Sequence, residues 1–273
     1  MRHVCRLFVI AIVSLAAGQA SAEKLAIDKI LDSPVSIEFR DIHLLDVTRF
    51  ISDSWDINIC LDWRVIGLPP KQTSDSPESK TVTLCGEFGP DYVTDGMVHT
   101  IQLKDIALRD ALTALLRPLN LSFNVEPSSV WISSPAMIKA DAKHPKPSTK
   151  KASKEMTALL ASPVGLEFEN IHLEEVLEFM SDSWDVNLVL DSRAVLPQGR
   201  EDSTAPLGSP GYITAGVVPY IGIKDVAFGD ALGLVLRSLN LTFKVEKNFI
   251  WVSSYELIDA QPLPAQGMGG KEK

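Results

Sequence analysis

The chain has 273 residues, 45% of them hydrophobic and 22% charged, with a formal charge of −9. This apolar content is enough for two modest cores, so folding needs neither a metal nor a disulfide framework. The acidic balance repels polyanions and argues against a general nucleic-acid or phospholipid-surface binder.

Residues 1–22 read as a secretory leader. Arg2 and Arg6 form a positive start, Leu7 to Ala17 an apolar run, and Ala20-Ser21-Ala22 a small-residue cleavage site, with the cut between Ala22 and Glu23. An apolar run of about eleven residues covers roughly half the hydrocarbon core, too little for an anchor. No later segment approaches about 18 uninterrupted apolar residues, so no transmembrane segment is expected in the mature chain. Losing the two arginines takes the formal charge to about −11. The expected location is the periplasm, with the extracellular space as the alternative.

The hydrophobic period then changes in a fixed order. Val35, Ile37 and Phe39 alternate with Ser36 and Glu38, predicting a strand with one buried face. Leu44, Val47, Phe50, Ile51 and Trp55 form a helical stripe, and Ile57, Ile59 and Leu61 a second strand. Gly67 to Pro90 is rich in Pro, Gly and Ser and reads as a loop. A strand over Val98–Leu103 follows, then a strongly periodic helix carrying Leu108, Ala111, Leu112, Leu115, Leu116 and Leu119. Asn120 suits the left-handed residue that ends many helices. Leu121, Phe123 and Val125, then Val130 to Ser133, predict a closing hairpin.

The whole order returns. Ser33–Arg64 matches Ser162–Arg193 at 19 of 32 positions, and Tyr92–Ser134 matches Tyr212–Ser254 at 22 of 43, which identifies a duplication. The offset falls from 129 to 120 between the blocks, so the second copy has the shorter loop, Leu196 to Gly211. The expected fold class is α+β: two tandem copies of a small β-α-β-(loop)-β-α-β-β domain. The expected boundaries are a first module over 23–135, a Lys- and Pro-rich flexible linker over 136–156, a second module over 157–260 and a disordered tail over 261–273.

Several segments carry a family resemblance. They are Val35-Ser36-Ile37-Glu38-Phe39-Arg40-Asp41-Ile42-His43-Leu44, Asn58-Ile59-Cys60-Leu61-Asp62, Ile101 through Leu112, Leu119-Asn120-Leu121-Ser122-Phe123 and Val130-Trp131-Ile132. The second copy has Asn187, Lys224-Asp225, Asp230-Ala231-Leu232 and Leu239-Asn240-Leu241. With these, each copy resembles the secretin and TonB N-terminus short domain, a small periplasmic module of secretins and TonB-dependent transducers. The loops after the second strand are longer than such modules usually carry, and no secretin or receptor barrel follows. The resemblance therefore implies free-standing modules that bind other proteins and are not enzymes.

Candidate chemistry is sparse. Once the leader is gone only Cys60 and Cys85 remain, and in an oxidising compartment they are the disulfide candidate, worth about 3 kcal/mol on the chain-entropy model. His43 and His172 sit at matched helix starts and read as surface residues, since no HxH, HExxH or CxxC spacing exists to give them metal partners. Asp53 and Asp56, like Asp182 and Asp185, flank a tryptophan at a helix end and read as structural rather than as a glycosidase pair. Asn120 and Asn240 match a glycosylation pattern but read as turn residues. Trp131 and Trp251 take the outward phase of the last strand, either packed under a helix layer or exposed as partner-contact anchors. No phosphate loop, nucleophile elbow or triad can be assembled, so neither cofactor nor metal nor enzymatic activity is expected. The expected function is a non-enzymatic interaction or scaffold protein of the bacterial cell envelope that docks a protein partner; its oligomeric state is left open. The alternative is an envelope glycan or small-ligand binder using the long loops and the aromatics near them, Trp63, Phe88, Tyr92, Tyr212 and Tyr220.

Overall fold

In strand β1, Pro34–His43, Val35, Ile37 and Phe39 turn inward while Ser36 and Glu38 face out, as period-two alternation requires. The computed structural model of the protein describes residues 27–67, 93–144, 147, 149, 152–191, 193–195, 214 and 216–259. The leader with its Ala22–Glu23 cut, most of the two long loops with Cys85, and the tail lie outside the described residues.

β1 pairs antiparallel with β3, Met97–Ala107, with a register shift between Val35 and Ile37. Helix α2, Leu44–Trp55, buries Leu44, Val47 and Ile51 and leads to β2, Ile59–Leu61. Helix α3, Leu108–Leu116, buries Leu108, Ala111, Leu112, Leu115 and Leu116, and a 3-10 turn over Arg117–Leu119 extends it. β4, Ser122–Val125, and β5, Val130–Ser133, form the hairpin, and β2 joins β5 in parallel to give the order β2-β5-β4.

The second copy repeats this with β6 (Pro163–His172), α6 (Leu173–Trp184), β7 (Leu188–Leu190), β8 (Val217–Ala227), α7 (Phe228–Arg237), β9 (Leu241–Val245) and β10 (Ile250–Ser254). Its β6-β8 pairing keeps the register of β1-β3, including the shift, here between Val164 and Leu166. The architecture is α+β with an internal duplication.

The duplicated unit is larger than the apolar pattern predicts. Residues 27–31 are helical (α1), and α5, Lys154–Leu160, precedes the second copy in the same way. A further helix follows each hairpin: α4, Pro135–Asp141, and α8, Tyr255–Asp259. The 136–156 stretch expected to be a flexible linker is thus helical at both ends, and α5 spans the boundary drawn at 156/157. Each of these helices is too short to show a stripe, but their starts are chemically marked. Ser134 accepts from Met137 N with Pro135 in the first turn, and Ser153 accepts from Met156 N.

Four non-glycine pairs hold left-handed backbone at matched sites: Asp41/Asn170, Asp56/Asp185, Asp105/Asp225 and Asn120/Asn240, with φ between 46° and 59°. Asn and Asp tolerate this region because their short side chains bond locally. Asp56 and Asp185 therefore serve as helix C-caps, and Asn120 and Asn240 end their helical turns, for backbone reasons.

A buried carboxylate ends β2. Asp62 is 0% exposed and receives Arg64 Nε and Nη2 at 2.8 and 2.7 Å and the Ser133 hydroxyl at 2.6 Å. Arg64 also donates from Nη1 and Nη2 to Asp141, at 3.1 and 2.7 Å, and so ties α4 to the first copy. Asp191, Arg193 and Ser253 repeat the inner part of this arrangement, and Arg193 foremost holds the Asp191 carboxyl below the usual carboxylate range. Asp62→Ala is expected to destabilise the chain by about 2–3 kcal/mol in urea unfolding, because it takes one of two carboxylates from a mostly buried guanidinium, which keeps Asp141, and leaves the buried Ser133 hydroxyl without its acceptor. A loss below about 1 kcal/mol would show that water reaches Arg64.

Candidate functional site

The sheet β2-β5-β4 has no free face at its centre. Ile59, Leu61, Val130 and Ile132 point into the first copy's core, while the alternate residues Cys60 and Trp131 belong to the core of the second copy. Cys60 is 5% and Trp131 2% exposed as a result. Helix α4 spans the same junction, with Met137 packed on the first core and Ile138 on the second.

Polar groups fix the register of the two copies. The Asn58 side chain acts as a strand edge, donating from Nδ2 to Lys224 O at 2.9 Å and accepting from Lys224 N at 2.8 Å. Trp63 Nε1 donates to Tyr220 O at 2.8 Å. Lys224 Nζ lies 3.3 Å from Asp53 on the exposed rim. Arg49 donates to Glu169 at 3.0 Å, and its guanidinium stacks 3.9 Å from the Tyr220 ring centre. Gly222 leaves room for that ring, since a Cβ there would meet the Tyr220 hydroxyl. Arg237 closes the other side, 3.8 Å over the Trp131 ring and 2.7 Å from Glu126.

Burial sets the electrostatics. Desolvation, then the Glu126 charge, push the Cys60 thiol up to about 12 against the opposing pull of Arg237. Burial also raises the Tyr220 phenol above its ordinary value, although Arg49 opposes the shift.

Other sequence candidates are distributed as follows. His43 and His172, expected at the surface, are buried caps. His43 Nδ1 accepts from Leu45 N at 3.1 Å, while Nε2 lies 3.0 Å from Gly67 O and 3.2 Å from Asp95 O, the pattern of the Nε2–H tautomer. The ring is drawn inside because it joins the start of α2 to both stems of the long loop, and Gly96, at φ +75°, leaves it the space. Trp131 is the aromatic of the junction, and its copy-two match Trp251 is half-buried on an outer face. Of the loop aromatics, Trp63 and Tyr220 are engaged across the junction, whereas Phe88, Tyr92 and Tyr212 lie outside the described residues, as does Cys85 and with it the Cys60–Cys85 bridge. Among the described residues no group of three or more His, Cys, Asp or Glu could hold a metal ion. No described helix is long and apolar enough to cross a membrane.

Among the described residues the second copy presents the same sheet face without a module seated on it. Val189, the match of Cys60, is 47% exposed, and Asn187, the match of Asn58, is also exposed. Between α6 and β7 runs a shallow groove lined by Leu177, Glu178, Ser181, Asp182 and Leu188. The matching place on the first copy, bounded by Arg49, Asp53 and β2, is where β8 seats. No family model matches the chain, and no curated protein sequence matches it.

Two measurements test the junction. Trp131→Ala is expected to cost about 3–5 kcal/mol, and Trp251→Ala no more than about 2 kcal/mol, since only the first is sandwiched between copies. Equal losses in chemical denaturation would mean that the copies do not pack in solution. The second uses pH. A thiol whose folded pKa is raised contributes stability that is complete below its unfolded value and is lost as pH rises through the folded one, here between 9.0 and about 12. Cys60→Val, the residue the second copy carries, should fold and should flatten that alkaline loss by about 1 kcal/mol per pH unit. Parallel pH profiles for the two proteins would place Cys60 in contact with water.

Proposed function

We propose that the chain is an exported, non-enzymatic interaction or scaffold protein of the bacterial cell envelope. It docks protein partners on tandem modules similar to the secretin and TonB N-terminus short domain. Each copy is read as the β-α-β-(loop)-β-α-β-β module, with the short framing helices as additions to it. One observation carries the docking role: a sheet face that the first copy uses to hold a whole module is present again on the second copy, uncovered at Val189 and Asn187. A face that already buries Trp131 against a partner domain has the aromatic anchor and polar rim of an interface core. Against the ligand-binding alternative, Trp63 and Tyr220 are engaged in contacts between the copies.

The test is site-specific photo-crosslinking in intact envelopes. A photoreactive residue at Val189 is expected to give covalent protein adducts, and one at exposed Asp110 on α3 is expected to give none. Absence of protein adducts at 189, together with saturable sedimentation of the chain with peptidoglycan, would replace this reading with the ligand-binding one.

A further inference from the structure

We infer that the partner of the uncovered face is a second copy of this chain, seated head to tail; the inference rests on the docking reading above. The internal junction joins unlike surfaces, the β2-β5 face of one module and the β6-β8 face of the next. Such a heterologous contact leaves one surface of each kind over on the pair of described copies. The leftover surfaces are the β7-β10 face of the second copy and the β1-β3 face of the first.

These two surfaces carry the junction's pairings at matched positions. Asp53 with Lys224 becomes Asp182 with Lys104, and Glu126 with Arg237 becomes Glu246 with Arg117, where Arg117 would share Glu246 with Lys244, which already pairs with it at 3.3 Å. Asn58, which clasps the Lys224 backbone, becomes Asn187 facing the Lys104 backbone, and Trp131 under Arg237 becomes Trp251 for Arg117. Lys104, Arg117 and Asn187 are exposed.

Two contacts differ: Trp63, which donates to Tyr220 O, is matched by Ser192, and one ion pair is exchanged, which is the decisive change. Inside the chain Arg49 meets Glu169. Their matches are Glu178 and Arg40, both exposed, so both charges are reversed and the attraction is kept. Arg40 also pairs with Glu38 on its own strand at 2.6 Å, which accounts for an arginine at 40 but not for the glutamate at 178. The stacking partner changes with them. Tyr220, which lies under the Arg49 guanidinium, is matched by Thr100, as a carboxylate at 178 needs no aromatic face. The groove beside Glu178 and Asp182 is the vacant counterpart of the seat that β8 fills within the chain. Without the Arg49–Tyr220 stack this contact is the weaker of the two, which suits reversible assembly. Repetition of one heterologous step builds an open helical array, or a ring if the rotation closes.

Sedimentation velocity on the leader-free chain, over concentrations up to about 100 μM, tests this within the usual range for weak interfaces. The mean mass is expected to rise with concentration and to pass the dimer. Glu178→Arg alone and Arg40→Glu alone are each expected to weaken association roughly tenfold by placing like charges together. An equimolar mixture of the two variants restores it. The arginine introduced in one variant then meets the glutamate introduced in the other, and the unaltered Glu178 and Arg40 meet at the next contact. Both positions are exposed, so folding is not at stake. A chain that stays monomeric throughout, or a mixture no better than its components, overturns the inference. If the chain stays monomeric while residue 189 still crosslinks to a different protein, self-assembly fails and the docking reading stands. If residue 189 crosslinks to no protein at all, both fall.

Discussion

Everything in the arrangement of the two copies depends on a three-stranded sheet that is buried on both sides. A sheet of three short strands ordinarily keeps one face for its own helices and gives the other to water. Here the alternate residues Cys60 and Trp131 are enclosed by the following copy, so the first copy's outer face is interior to the chain. Dispersion and burial around an indole supply the attraction, and directional groups supply the register. Asn58 is the most informative of these, because its amide presents a donor and an acceptor to a strand backbone as a neighbouring strand would.

The electrostatics of the junction follow from that enclosure. Arg237 is drawn over the Trp131 ring and paired with Glu126 where little water remains, and a guanidinium is the cation suited to this because its planar charge stacks. The thiol at position 60 is held as a neutral, oil-like group, as a valine would be. By contrast the Asp53–Lys224 pair on the rim contributes little to stability and acts in selection of partner and register.

Much of the fold is legible in the residues because its signals are local. Val35, Ile37 and Phe39 show a period of two, the α3 leucines a period of 3.6, and Asn120 and Asn240 a chain reversal. The framing helices escape a periodicity reading because Met156, Leu159 and Leu160 make a single i, i+3, i+4 turn that a seven-residue helix never repeats, although Ser134-Pro135 marks a start. The histidines read as surface residues yet are buried, and for His43 the reason is that the groups it bonds, Gly67 and Asp95, lie 24 and 52 residues away. Alternation shows that Trp131 and Trp251 face outward. What covers the first of them is a surface supplied by Arg237, far along the chain, and no local pattern encodes that. The Arg49/Glu178 and Arg40/Glu169 exchanges are present in the alignment of the copies, but they acquire meaning only when the structure sets 49 beside 169.

The matched left-handed residues record how the copies have diverged. Over the same segments many apolar positions have been exchanged and one pair of charges reversed, yet the four sites read Asp/Asn, Asp/Asp, Asp/Asp and Asn/Asn. The one exchange stays inside the small set of side chains that positive φ admits without strain. Backbone dihedrals have thus been a tighter filter on mutation than the identity of the hydrophobic core, which can be repacked by trading one methyl group for another.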